Sequence, residues 1–114
     1  MSNSSEKYKS VIYLSGPYHN GGGTVDENIA QARKAAIEYW ERGFAVICPH
    51  LNTAHFENDC RCVWEDFIAG DFEIIRRLRV EQDKMVMLPG WSTSKGAMAE
   101  HEEARRIGLK VEYY

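Results

Sequence analysis

Two acidic residues stand where helical periodicity calls for apolar ones. Successive helix residues step by about 100°. In the segment from Gly96 to Ile107, with Gly96 at zero, Ala97, Ala104 and Ile107 fall between roughly 20° and 100°, and Glu100 falls at about 40°, inside that apolar sector. Glu102, Glu103, Arg105 and Arg106 are expected on the opposite, solvated side. An earlier segment repeats the pattern. Trp64, Phe67, Ile68, Ile75 and Leu78 make one apolar stripe, and Asp71 lies within it at about 340° from Trp64. A carboxylate on such a face is costly unless it is paired, hydrogen-bonded or facing a cavity. One acid of this kind reads most simply as a rim residue bonded to a nearby loop. Two on different helices point to a shared site. Paired carboxyl groups suit glycosidic chemistry, in which one attacks or stabilises a cationic sugar carbon and the other group handles the proton.

The elements that must position these acids follow from apolar runs and turn residues. Ser10–Ser15 reads as a buried strand ending at Gly16-Pro17. Thr24 and Glu27 fit a capping box at the start of a helix that runs to about Arg42 and stops at Gly43. Ala45–Cys48 is a second strand closed by Pro49, and His50–Arg61 a long polar loop. Helical periodicity spans Cys62–Arg79. Lys84–Leu88 is a third strand, Gly96–Ile107 a helix ended by Gly108, and Leu109–Tyr113 a last strand. Continuous apolar strands alternating with helices predict an α/β fold. It is a Rossmann-like open parallel sheet, in flavodoxin-like order, of about four to five strands with helices on both faces. Ligands bind such sheets outside the carboxyl ends of the strands. That places Ser15–Gly23, Pro49–Arg61 and Pro89–Ser94 around the expected site. Ser94 is a suitable N-cap for the last helix, and helix N-termini attract anions. Asn28, at the edge of the first helix's apolar face, is placed to hydrogen-bond the first loop.

The chain of 114 residues fits one domain, residues 10–114, behind a polar arm at residues 1–9 expected to be flexible. A net charge of −3 gives no basic excess for binding a nucleic-acid polymer. No apolar run approaches the roughly 20 residues that span a bilayer, so no membrane partner is expected. The polar start lacks an apolar signal region, and three cysteines are an odd number for a disulfide framework. A reducing, cytoplasmic setting is the expectation. There is no Walker pattern and no dinucleotide fingerprint.

Tyr13-Leu14-Ser15-Gly16, together with Ser94-Lys95-Gly96-Ala97-Met98-Ala99-Glu100 followed by Ala104 and Gly108, resembles the nucleoside 2-deoxyribosyltransferase superfamily. That superfamily includes the 2′-deoxynucleoside 5′-monophosphate N-hydrolases and small phage and bacterial relatives. The resemblance runs from Val11 to Val111. It implies cleavage of the N-glycosidic bond of a (deoxy)nucleoside or its 5′-monophosphate, by hydrolysis or base exchange. Glu100 would be the nucleophile at C1′, Tyr13 would orient it, and Asp71 would contact the sugar or the leaving base. Ser94 would take the 5′-phosphate, where the transferases carry an aspartate for the 5′-hydroxyl. Ser15, Gly16, Tyr18, His19 and Gly96 complete the implied substrate contacts. Pro17 and His19 stand where the N-hydrolases hold phosphate with a serine and an arginine. No cofactor or metal is implied, and a homodimer or higher homo-oligomer is. In relatives, residues after the last strand reach a neighbouring subunit's site, and this sequence stops at Tyr114, soon after its own.

Other residues carry weaker signals. His50 follows a strand end and either lines a base pocket or bonds a loop. Trp91 beside Gly90 is an aromatic surface for a base, or else part of a lid or subunit contact. Cys48, His50, His55, Cys60 and Cys62 lie close in sequence, but their spacing matches no common zinc motif. Two rivals to the enzyme reading stand open: a non-catalytic nucleotide-binding sensor of the same fold, and a structural zinc protein.

Overall fold

The computed structural model describes residues 10–19 and 23–114. The expected N-terminal arm, and part of the glycine-rich loop, lie outside the described residues. The elements alternate: β1 (Val11–Ser15), α1 (Val25–Glu41), β2 (Ala45–Ile47), α2 (Pro49–Asn52), α3 (Trp64–Arg76), β3 (Lys84–Met87), α4 (Lys95–Ile107) and β4 (Lys110–Tyr113). Short 3-10 turns occupy Phe56–Asn58 and Trp91–Thr93. The four strands form one sheet in the order β2-β1-β3-β4, with every pairing parallel. This is the flavodoxin-like order expected from the sequence, and the first crossover reverses direction beside β1.

Strand alternation divides the core into two layers. Ile12 and Leu14 of β1, with Val86 and Leu88, face α1 and meet Ala32, Ala35, Ala36 and Tyr39. The small alanines let α1 lie close to the sheet. Tyr13 of β1, with Met85 and Met87, faces the other way and packs with Ile75, Ala97, Ala104 and Leu109. Ser15 has the same parity as Tyr13, so both point to the α3–α4 side. That single fact of period two aims two hydroxyl groups of β1 at α4.

Local chemistry sets the boundaries. Thr24 and Glu27 form the expected reciprocal cap of α1, with bonds of 2.8 and 3.1 Å. Gly43 and Gly108 end α1 and α4 at φ 95° and 83°, a backbone region that side chains disfavour. Gly16 is required for another reason: a Cβ there would lie 2.8 Å from the Leu88 Cβ. The loop leaving β1 therefore presses on the end of β3. Asp83 ties the opposite end of the sheet, its carboxylate accepting from Val11 N at 2.8 Å and Arg79 N at 2.7 Å.

Several expected boundaries shift. The third helix runs Trp64–Arg76 instead of Cys62–Arg79, because Asp66 accepts from the Val63 N–H at 2.8 Å and fixes the start there. The polar loop after β2 begins with α2, led by Pro49 in the first turn, where proline fits a helix. Glu103, expected in solvent, is buried against Arg76 of α3 and Arg106 of its own helix. At about 340° from Gly96 it borders the apolar sector, and the arginine from α3 brings it inside.

Candidate active site

A cavity of about 650 Å³ opens at the carboxyl ends of the strands. Its floor is α4: Ser94, Lys95, Gly96, Ala97 and Glu100. One wall is α3, through Trp64, Phe67, Ile68 and Asp71. The other comes from the loops after β1 and β2, through Gly16, Tyr18, His19 and His50. Among the sequence candidates, Asp71, Glu100, Ser94, Gly96, Gly16, Tyr18, His19 and His50 thus share one cavity.

Glu100 is 6% exposed, and among the described residues the groups that hydrogen-bond to it or shift its protonation are Asp71, Ser15 and Tyr13, none of them basic. Its Oε1 accepts a hydrogen bond from Ser15 Oγ at 2.8 Å. The Tyr13 hydroxyl is buried close by. It is near enough for each group to perturb the other's protonation, but it makes no well-formed hydrogen bond. Asp71 reaches across from α3, and its carboxyl group meets that of Glu100 within hydrogen-bonding range. Burial, then the neighbouring Asp71 charge, holds the Glu100 carboxyl well above the usual carboxylate range. Burial raises Asp71 as well, while the bond from Glu100 opposes that shift. Both carboxyl groups are thus displaced upwards, Glu100 the further, and as close neighbours they titrate as a pair. Burial and the two carboxylates push the Tyr13 phenol well above its ordinary value, so it remains a donor.

The walls are fixed by bonds that leave the cavity open. His50 is buried, and its Nε2 lies 2.5 Å from the Pro17 carbonyl. A carbonyl accepts only, so Nε2 carries the proton. Nδ1 faces Cys48 Sγ at 3.9 Å. Burial keeps the imidazole below its ordinary pKa and neutral. Its Nε2–H holds the first loop, and the residue lines the cavity. Asn28 Nδ2 donates to the Tyr18 carbonyl at 2.8 Å, as its position on α1 suggested. The Tyr18 hydroxyl donates to the Glu57 carboxylate at 3.0 Å and accepts from His55 N at 2.7 Å. Ser94 caps α4, its Oγ accepting from Ala97 N at 3.3 Å.

Trp91 is not among the cavity's residues. It stacks on His101 at 4.3 Å and 23° and lies 5.8 Å from the Tyr113 ring. There it anchors the turn that leads to Ser94. Trp64 instead supplies the indole at the cavity, with the Lys95 ammonium 4.7 Å from its ring centre. Sequence reading placed Trp64 only in an apolar stripe and assigned Lys95 nothing. The available signals were an aromatic in the first turn of α3 and a cation directly after a serine N-cap. The cysteine and histidine cluster does not assemble: Cys48 is buried beside His50, His55 pairs with Asp26 at 3.1 Å, and Cys60 and Cys62 are exposed. Among the described residues no group of three or more His, Cys, Asp or Glu side chains is placed to hold a metal ion. Nor is any helix of the described residues long and apolar enough to cross a membrane.

No curated protein matches the chain. A family model does, over residues 10–113, and it spans β1 to β4 and every residue that lines the cavity. The chain belongs to that family, described as a domain of unknown function (DUF4406).

Proposed function

We propose that the protein cleaves the N-glycosidic bond of a (deoxy)nucleoside or its 5′-monophosphate, with Glu100 as nucleophile and Asp71 as proton carrier. The supporting observation is the pair itself: two carboxyl groups that lie close together, face an open cavity and, among the described residues, have no recorded cationic partner. A carboxyl group built only for stability would be satisfied as Asp83 is, by backbone N–H groups, or as Glu103 is, by arginines. The likeness of Tyr13–Gly16 and Ser94–Glu100 to the nucleoside 2-deoxyribosyltransferase superfamily supports the same reading.

In the proposed chemistry the pair starts with one proton, on Glu100 and donated to Asp71. As positive charge develops at C1′, ionised Glu100 becomes the favoured form and the proton passes to Asp71. Glu100 Oε then bonds to C1′ while the C1′–N bond breaks, and Asp71 delivers the proton to the leaving base. Water next attacks C1′ of the glycosyl ester, Asp71 takes a proton from that water, and Glu100 leaves as carboxylate. A second base in place of water gives base exchange. Ser15 and Tyr13 donate towards Glu100, steadying its charged form and its angle of attack. The indole of Trp64 is a surface for an aromatic base. The hydroxyl of Ser94, the ammonium of Lys95 and the N-terminus of α4 suit a 5′-hydroxyl or 5′-phosphate.

The test is free-base release by liquid chromatography over a panel of nucleosides and 5′-monophosphates, with and without an acceptor base. Release from at least one panel member is expected, and the preferred donor and the acceptor dependence assign hydrolysis or transfer. Saturable binding of a panel member without release would replace the enzyme with a nucleotide-binding module.

A further inference from the structure

We propose that residues 54–62 form a hinged cover at the mouth of the cavity, clasped shut by the Tyr18 hydroxyl and the His55–Asp26 pair, and that release of this clasp opens the cavity. The inference concerns access and does not rest on the glycosidic reading. Both ends of the segment are pinned locally. Thr53 closes α2, its N–H and its Oγ1 both donating to the Pro49 carbonyl, at 3.0 and 3.2 Å. Val63 opens α3, its N–H held by Asp66 at 2.8 Å. Between these points every residue from His55 to Cys62 is exposed, and neither core layer takes a side chain from 54–62. The backbone bonds recorded for the segment are local ones around the turn at Phe56–Asn58. Thr53, Glu57 and Cys62 nevertheless line the cavity, so the segment is one of its walls.

Among the described residues, three polar ties cross from this segment to the rest of the fold. The His55 N–H donates to the Tyr18 hydroxyl at 2.7 Å, that hydroxyl donates to the Glu57 carboxylate at 3.0 Å, and His55 Nε2 lies 3.1 Å from Asp26 Oδ1. The posts are fixed, since the Tyr18 carbonyl accepts from Asn28 of α1 and Asp26 stands in the first turn of that helix. The ties are weak one by one. The His55 and Asp26 side chains are 49% and 85% exposed, so solvent screens their attraction. The clasp also works against the backbone. His55 has φ 64°, the one positive value at a described residue other than glycine, in a region that a side chain disfavours. Its N–H and its ring are held there by the two posts. Strain thus favours opening, and three exposed ties favour closure. No core contact decides the balance, so the Tyr18 hydroxyl, which makes two of the ties, sets it. Opening frees that hydroxyl and the Glu57 carboxylate at the mouth and uncovers the Trp64 wall.

The experiment is amide hydrogen exchange of the full chain, read by mass spectrometry of peptides, for the wild type, Tyr18→Phe and Asp26→Asn. Tyr18→Phe keeps the ring and removes the hydroxyl. Exchange in peptides from 54–62 should become about tenfold faster, with β1, β3 and α4 unchanged. Asp26 is not among the residues that line the cavity, and Asp26→Asn should speed the same peptides about twofold, through His55 alone. Access is read separately, by acrylamide quenching of tryptophan fluorescence. Tyr18→Phe should raise the quenching, and the rise should vanish when both proteins carry Trp64→Phe, because Trp40 and Trp91 lie outside this cavity. Unchanged exchange in Tyr18→Phe, exchange raised across the sheet as well, or faster exchange of 54–62 with no rise in quenching would each overturn the proposal.

Discussion

Glu100 and Glu103 lie three residues apart on α4, both are buried, and both meet a side chain of α3. Their surroundings are opposite. Glu103 accepts from Arg76 Nε at 2.7 Å and from Arg106 Nε at 2.9 Å, and these two guanidinium groups lower its carboxyl to about 2. Glu100 meets a second acid and two hydroxyl groups, and burial holds its carboxyl well above the usual range. The same helix interface thus carries one carboxylate that is neutralised by cations and one that is not. The first fastens α3 to α4 at little cost. The second is a standing cost, which the fold tolerates beside an open cavity.

Breaking Glu100 has the largest expected effect. Glu100→Gln should lower base release by about a hundredfold or more, since the proposed nucleophile is removed. It should also raise the melting temperature at neutral pH, because a buried ionisable group with no cation becomes a neutral amide. The sign with pH follows. The folded state keeps a proton that the unfolded chain gives up in the ordinary carboxylate range, so wild-type stability falls as pH rises through the raised value. The advantage of Glu100→Gln should therefore be near zero in acid and grow towards neutrality, as read from melting curves across pH.

Asp71→Asn sharpens the same side of the comparison. It should cost roughly ten- to a hundredfold in base release, as expected for a lost proton carrier. The pair's coupled titration should disappear from the pH–rate profile, leaving a single ionisation for Glu100. Since the Asp71 charge is a cause of the raised Glu100 value, that ionisation should move down.

Glu103→Gln tests the other carboxylate. Its arginine partners are half exposed, with Arg76 at 47% and Arg106 at 62%. Solvent screening therefore limits the loss to about 0.5–1 kcal/mol. Here the sign is reversed. A lowered carboxyl stabilises the fold above its unfolded value and loses that contribution as pH falls towards about 2. The deficit of Glu103→Gln should be full at neutral pH and vanish in acid, with base release unchanged. Tyr13→Phe should have the smallest effect on stability, within about 0.5 kcal/mol, because the deleted hydroxyl has no well-formed bond to lose. Its mark should be on the pH–rate profile, through the neighbouring Glu100.

Much of this contrast can be read from the sequence, and the part that cannot is long-range. Helical angle places Glu100 and Asp71 inward, and strand parity gives Tyr13 and Ser15 the same face. Capping residues and glycines mark most element ends. What periodicity does not carry is the identity of the neighbour across an interface. Glu103 borders the apolar sector by angle, and only Arg76, twenty-seven positions earlier, makes it a buried ion pair. Trp91 and Trp64 are both aromatics beside loops. One stacks on His101 away from the cavity and the other lines it, because the turn at Trp91–Thr93 and the start of α3 face different ways. The imidazole of His50 proved to be a fastener because the Pro17 carbonyl reaches its Nε2, a contact that spans two loops.

The central claim is that Glu100 is kept uncompensated because it attacks the sugar carbon. The direct measurement is free-base release by wild type and Glu100→Gln, side by side, on whichever panel member the wild type turns over fastest. The account predicts release by the wild type and its loss, by about a hundredfold or more, in a variant that remains folded and melts higher. Equal release by the two proteins would contradict it, and so would a Glu100→Gln variant that melts lower than the wild type at neutral pH.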